Sequence, residues 1–205
     1  MSPIDTLAQL FKTFPGIGER QARRFVYFLL GRDAEARTKL AQAIAELENT
    51  ITQCEQCQRF FPVGSTPKKR CAICSDSSRD QSLVMIVEKD TDLENIEASK
   101  TYTGIYFVLG GVLPIRSDSL DDAPYLRAKA LDAIITSLKP QEIILGFSTS
   151  PEGEHTADRV TRMLLRHKFE TPCTISKLGR GLSSGAELEY ADPATLKAAL
   201  ESRSS

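Results

Sequence analysis

Apolar positions along this 205-residue chain follow one period before Ser82 and another after it. In the first part the spacing is helical. Leu7, Leu10 and Phe11 share a face behind a Ser2-Pro3-Ile4-Asp5 cap, and Phe14-Pro15 ends the helix. Ala22, Phe25, Val26, Leu29 and Leu30 mark a second amphipathic stretch. Leu40, Ile44, Leu47 and Ile51 mark a third, from about Asp33 to Thr50, expected to complete a small three-helix unit. After Ser82, short apolar runs at Leu83–Val87, Ile105–Leu109, Glu142–Phe147 and Pro172–Ile175 alternate with helical stretches at Asp90–Ser99, Ala123–Leu138 and His155–His167. Strands separated by crossover helices predict a parallel sheet with helices on both faces. The expected class is an α/β half joined to a small α half.

Between the two lies a stretch with neither period. Four of the five cysteines occur there, as Cys54-Glu-Gln-Cys57 and, after thirteen residues, Cys71-Ala-Ile-Cys74. Each Cys-x-x-Cys turn points two sulfurs at one centre, so two turns supply a four-thiolate zinc site with no open position, a site that holds structure and does no chemistry. Paired disulfides, a redox dithiol and plain buried thiols are the alternatives. The lack of a secretory signal and the doubled motif weigh against the first two. The loop Gln58–Arg70 is too polar and rich in Pro and Gly to hold a core, so a bound metal would supply its folding free energy. Phe60 and Phe61 are expected to cover the metal. Lys68, Lys69 and Arg70 either meet phosphate or form a solvated basic loop.

Charge adds one local asymmetry to a chain of net charge −1. Met1–Leu40 carries seven Lys and Arg against four acids, a local +3 around Phe14-Pro15-Gly16-Ile17-Gly18-Glu19-Arg20. Two helices joined by Pro-Gly-Ile-Gly make a helix-hairpin-helix. Gly16 and Gly18 let the backbone approach a phosphate, and Arg20 and Arg24, one turn apart, can each pair with one. Arg23 points elsewhere. Such a hairpin binds the sugar-phosphate backbone without reading bases; its alternative use is packing or dimer contact. No membrane span is visible, so a cytoplasmic protein is expected.

Ligands of parallel sheets gather at the carboxyl ends of strands. Here those ends carry Glu88-Lys89-Asp90, Gly110-Gly111 and Ser148-Thr149-Ser150-Pro151-Glu152-Gly153-Glu154. Glu88 with the Glu-Gly-Glu could bind a divalent cation, or these acids could cap helices and pair with Lys or Arg. Gly179-x-Gly181-x-x-x-Gly185 lacks the Gly-Lys-Ser/Thr ending of a nucleotide loop. A last helix, Pro193–Arg203, presents Ala194, Leu196, Ala199 and Leu200 for packing on the sheet or a neighbouring subunit. Cys173 reads as a small buried hydrophobe, and His155 and His167 as surface histidines.

In order, the Phe14–Gly18 hairpin, the four cysteines with Ile73 and Asp76–Asp80, Val87-Glu88, Val108–Gly111, Glu152–Glu154, Gly179–Leu182 and Gly185–Asp192 resemble the bacterial recombination mediator RecR family over nearly the whole chain. The resemblance implies a helix-hairpin-helix domain (1–52), a zinc finger (53–80), a Toprim domain (81–177) and a C-terminal segment for packing or oligomerisation (178–205). Catalytic Toprim enzymes carry a glutamate at the first strand end, matched by Glu88, and Asp-x-Asp at the third, matched here by Ser148-Thr149-Ser150. Hydroxyls are poor Mg²⁺ ligands, so no catalytic residue is expected. The implied role is a non-catalytic, nucleoid-associated DNA-binding mediator that helps load RecA on gaps coated by single-strand-binding protein. It would act with RecO or RecF, as a dimer or tetrameric ring, with zinc joining hairpin to sheet. Glu88, Glu152 and Glu154 are candidate partner contacts. Loop Val112–Asp122 and Ser148-Thr149 depart from the family's usual residues. The competing reading is a Mg²⁺-dependent Toprim nuclease or primase-like enzyme using Glu88 with Glu152 and Glu154.

Overall fold

The computed structural model begins with helices α1 (Pro3–Lys12), α2 (Glu19–Leu30) and α3 (Ala34–Thr50), and it describes residues 1–64, 69–167, 172–179, 182, 185, 187–191 and 193–201. Ser2 and Asp5 form a capping box on α1: Asp5 N donates to Ser2 Oγ at 3.2 Å and Ser2 N to Asp5 Oδ2 at 3.3 Å. α1 and α2 pack through Ala8, Ala22 and Val26, ringed by half-buried Ile4, Leu7, Phe11 and Ile17. Arg23 Nη2 meets Asp5 Oδ1 at 3.0 Å across the pair. These elements belong to the first of two units, Met1–Thr52 with Pro62–Ser65.

α3 departs from the sequence expectation. Asp33 caps it as read, accepting from Ala36 N at 2.7 Å, yet α3 buries no side chain and Leu40, Ile44 and Leu47 are 42, 60 and 56 % exposed. The apolar stripe exists, but α1 and α2 spend their apolar faces on each other, so no three-helix core forms within the unit.

The second unit is Gln53–Phe61 with Thr66–Ser205. A two-stranded ribbon, β1 (Ile51–Gln53) and β2 (Phe60–Pro62), and the single turn α4 (Ala72–Ser75) precede β3 (Asp80–Val87), α5 (Asp90–Ser99), β4 (Gly104–Val108), α6 (Ala128–Leu138), β5 (Glu142–Gly146), α7 (Pro151–Leu164) and β6 (Thr174–Lys177), and α8 (Pro193–Glu201) closes the chain. β3 to β6 form one parallel sheet in the order β4-β3-β5-β6, with Val84–Val87 registered on Ile105–Val108 and Leu83–Val87 on Glu142–Gly146. Alternation along the strands sorts the core into two faces. Val84, Ile86, Ile105, Phe107, Ile143 and Leu145 lie under Leu131 and Ile135 of α6 and Ala157, Val160 and Leu164 of α7. Met85, Val87, Tyr106 and Val108 face Leu93 of α5 and the four cysteines. Among the described residues no helix is long and apolar enough to cross a membrane.

Two helix starts differ from the sequence reading. α6 begins at Ala128, not Ala123, because the segment before it is tied back over the end of β4: Arg127 N donates to Leu109 O at 2.9 Å and Arg127 Nη1 to Val108 O at 3.0 Å. α7 begins at Pro151, a turn before His155, because Ser150 caps it, accepting from Gly153 N at 3.0 Å with Pro at the first position. Calls on Lys68, Arg180, Gly181, Ala186, Asp192 and Arg203 fall outside the described residues.

The sheet face toward α5 holds an ion-pair network. Arg79 Nη1 donates to Glu97 Oε1 and Gly104 O, each at 2.9 Å, and the Tyr106 hydroxyl donates to Glu97 Oε1 at 2.7 Å. Burial alone would raise the Glu97 carboxyl, but the Arg79 guanidinium and Tyr106 hydroxyl outweigh it and hold the group below its usual 4.5. A depressed carboxylate contributes stability that is complete above pH about 4.5 and lost as pH falls through its lowered value. Glu97→Gln should therefore cost about 2 kcal/mol at pH 7, measured by chemical denaturation, and progressively less as the pH is lowered through the wild-type carboxylate's depressed value.

Candidate nucleic-acid interface and metal centre

The turn between α1 and α2 is built for close backbone approach. Gly16 sits at φ +75°, a conformation that strains any side chain, and Ile17 N donates to Phe14 O at 3.1 Å to close the hairpin. Gly18 is the N-cap of α2 and offers no side-chain cap; a Cβ built on it would meet nothing within 4 Å. The fold itself does not demand glycine there. What the missing side chain leaves open is the space before the first-turn amides of α2, which lack intrahelical partners and carry the positive end of the helix dipole. Arg20 and Arg24 are exposed on α2, and neither has an ion-pair partner among the described residues; Arg24 Nη1 donates to Gln21 Oε1 at 3.3 Å. Arg23 is spent instead on Asp5 at 3.0 Å and Glu19 at 3.9 Å.

At the carboxyl edge of the sheet, Glu88 follows β3. It is only 7 % exposed, and its Oε1 accepts Ser148 N at 2.6 Å. The Oγ atoms of Ser148 and Ser150 lie 2.9 Å apart. Where a metal-dependent cleavage centre needs three hard anionic ligands, this edge offers one carboxylate committed to an amide and two hydroxyls committed to each other. Glu152 and Glu154 lie in the first turn of α7, whose dipole favours acids. Glu154 Oε2 pairs with Lys177 Nζ at 3.1 Å, while Glu152 lines a shallow, largely apolar cup with Val112, Ile115 and Tyr125. The three acids are thus not equivalent: a docking partner can reach the half-buried Glu152 and Glu154 but meets little of Glu88.

The unusual loop after Gly111 is pinned to α7. Leu113 N donates to Thr156 Oγ1 at 2.7 Å, His155 Nε2 lies 2.8 Å from Ser117 O, and Arg159 Nη2 donates to Asp118 Oδ1 at 2.9 Å. His155 and His167 are therefore partnered and half-buried, not free surface histidines; His167 Nε2 lies 2.8 Å from Asp132 Oδ1. The fully buried Thr156 carried no sequence signal, since its role depends on a loop more than forty residues away in the chain.

Cys54, Cys57, Cys71 and Cys74 are all buried, and their sulfurs lie within 4.8 Å of one another, an arrangement able to hold a metal ion. Cys57 Sγ and Cys71 Sγ are 3.6 Å apart, close to the roughly 3.8 Å edge of a tetrahedron with sulfurs about 2.3 Å from its centre. The first turn closes by Gln58 N donating to Cys54 O at 3.0 Å with Gln58 at φ 62°, and Cys71 N donates to Cys54 Sγ at 3.4 Å. Contact with Cys57 lowers the Cys54 thiol, and contact with Cys54 raises the Cys57 thiol. The donor set and spacing fit a closed tetrahedral ion. Val108 N donates to Cys57 O at 2.8 Å, so this knuckle extends the edge of β4. Phe61 packs against the cysteine cluster as expected, but Phe60 does not: it is 52 % exposed, with the Arg127 guanidinium 5.4 Å from its ring centroid.

Three comparisons bear on this arrangement. A RecR helix-hairpin-helix model matches residues 4–47, a Toprim domain model 82–177 and a RecR C-terminal model 181–204. The chain is 34 % identical over 206 residues to the Recombination protein RecR of Chlorobium phaeobacteroides, covering 98 % of this chain and 96 % of that one. It is 35 % identical over 203 residues to the protein of that name from Chloroflexus aurantiacus, covering 98 % and 94 %. With the one from Magnetococcus marinus it shares 36 % over 205 residues, covering 98 % and 94 %.

Gly153, the centre of Glu-Gly-Glu, has a steric reason to be glycine, because a Cβ there would stand 2.2 Å from Ser148 O and 2.4 Å from Ser148 Oγ. Gly153→Ala should displace the Ser148 loop and cost about 1–3 kcal/mol, read as a lowered thermal midpoint. An unchanged midpoint would mean that the loop yields freely.

Proposed function

The chain belongs to the RecR family of recombination proteins, and on that footing we propose that it is a non-catalytic DNA-binding mediator of recombinational repair. It holds the sugar-phosphate backbone through the Gly16 and Gly18 turn with Arg20 and Arg24, and helps load RecA on gaps coated by single-strand-binding protein, together with RecO or RecF. The observation that carries this reading is the hairpin, where two arginines without acid partners among the described residues lie in the first two turns of a helix that has no side-chain cap. Absence of strand cleavage rests on the carboxyl edge: Glu88 is bound to Ser148 N, and Ser148 and Ser150 supply hydroxyls where a second and third carboxylate would be needed.

The metal is zinc, held by Cys54, Cys57, Cys71 and Cys74 with a structural role, as a closed four-thiolate donor set favours. Its chemistry is confined to neutralising and tethering the four sulfurs. RecO or RecF docks through Glu152 and Glu154, with Glu88 acting from beneath by holding the Ser148 loop. Homo-oligomerisation is supported by the first unit, whose buried residues among those described are Ala8, Ala22 and Val26 while Leu40, Ile44 and Leu47 of α3 remain exposed. Such a unit gains substantially from burying that stripe against a second copy. Several tethered hairpins also raise affinity through effective concentration, where one hairpin would bind weakly at physiological salt.

Arg20→Ala with Arg24→Ala should weaken oligonucleotide binding by about tenfold or more and flatten its salt dependence, measured by fluorescence anisotropy, while the purified chain leaves supercoiled plasmid unnicked in Mg²⁺ or Mn²⁺. Nicking that is lost with Glu88→Ala would instead favour the nuclease reading. Elemental analysis and light scattering of the same preparation should give one zinc per chain and a mass of two or more chains, reduced toward one by Ile44→Glu.

A further inference from the structure

The sheet face away from the cysteines carries a second concentration of cations. A groove of about 370 Å³ is lined by Lys129 at the start of α6, by Arg159 and Arg162 of α7, by Arg166 just beyond it, and by Asp118, Asp121 and Asp132. Two of those carboxylates are already engaged, Asp118 by Arg159 at 2.9 Å and Asp132 by His167 at 2.8 Å. Lys129, Arg162 and Arg166 are exposed and have no ion-pair partner among the described residues, facing Asp121 as the remaining acid. Some cations of the chain are paired, Lys39 with Glu35, Arg79 with Glu97 and Lys177 with Glu154 and Asp158; the groove gathers three that are not, as the hairpin gathers Arg20 and Arg24.

The placement is electrostatically unfavourable for the chain alone. Arg162 lies in the last turn of α7 and Arg166 just beyond it, so two like charges share one helix end. The negative end of α7 favours both of them. That explanation fails for Lys129, which stands in the first turn of α6, where the positive end of the helix opposes a cation. An anion in the groove relieves all three.

We propose that this groove is a second polynucleotide contact, in which Arg162, Arg166 and Lys129 take one or two phosphates of a strand. Guanidinium forks match phosphate oxygens bidentately, and the volume suits a nucleotide-sized segment. Arg159, locked to Asp118, fixes the loop that closes one end. The lining is mostly charged, with Leu120, Ala128 and Met163 the apolar members, so it lacks the deep apolar anchor pocket that protein docking uses. Phosphate binding needs only the charge. The inference rests on the DNA-binding reading above and adds a site outside the hairpin.

The test is oligonucleotide binding by the full chain, titrated from about 50 to 200 mM salt, for Arg162→Glu with Arg166→Glu and separately for Lys129→Glu. Lys100→Glu, on the other sheet face, controls for charge change alone. Affinity at low salt should fall about tenfold for the double variant, and the slope of log K against log salt should shrink in magnitude by about 1–2, with an unchanged thermal midpoint. Lys129→Glu should move both in the same direction, and Lys100→Glu should move neither. Full affinity and slope in the groove variants, alongside loss in the Arg20 and Arg24 variant, would overturn this site and leave the hairpin reading standing. Lost binding of an acidic peptide with DNA binding intact would assign the groove to protein and likewise overturn it. No DNA binding by the unaltered chain would overturn both.

Discussion

Four sulfurs within 4.8 Å of one another, packed into the same apolar cluster as Met85, Val87, Tyr106 and Val108, impose the constraint on which the second unit depends. Two unit charges 4 Å apart repel by about 4 kcal/mol at an effective dielectric near 20, so four thiolates cannot share this volume without a cation. A tetrahedral metal ion resolves the conflict. Because Cys57 O accepts the amide of Val108, an ion held there would also tie the knuckle to the buried outer strand β4, just before the chain turns into Gly110-Gly111. The knuckle is thus part of the sheet's core on the α5 face and not a free appendage to it.

The carboxyl edge of the sheet is held together by its own polar groups. Glu88 keeps the position a metal-binding glutamate would have, but its oxygen holds the Ser148 amide, and Ser148 and Ser150 hold each other while Ser150 caps α7. Each polar group there is satisfied by the fold itself. A divalent ion would meet one carboxylate already accepting an amide and two hydroxyls bonded to each other, a poor donor set for a hard cation. Glu88 thereby shapes the loop leading to Glu152.

Much of this was legible in the sequence, because period and spacing are local. The four strands, the crossover helices, the cysteine pairs and the Pro-Gly-Ile-Gly turn each announce themselves within a dozen residues. What stayed hidden depends on partners distant in the chain. Arg79, Glu97 and Tyr106 form one network only after β3, α5 and β4 assemble, and Thr156 anchors Leu113 across more than forty residues. Two misreadings have the same origin. Ala123–Arg127 has helical composition, but tertiary hydrogen bonds to Val108 and Leu109 hold it out of the helix. The stripe on α3 predicts burial without saying against what.

That stripe also explains why so small a first unit suffices. Three buried residues, the largest a valine, cannot offset the entropy of ordering some fifty residues, at roughly 1–2 kcal/mol each for the backbone alone. Either the unit borrows stability or it remains marginal, and the exposed Leu40, Ile44 and Leu47 provide the surface for borrowing. Borrowing from a second copy has a consequence that borrowing from another part of the same chain would lack: it brings two hairpins into one assembly. On the DNA-binding reading, the residues that would complete the core would therefore also turn a weak phosphate contact into an avid one, so stability and DNA affinity would rise and fall together with assembly.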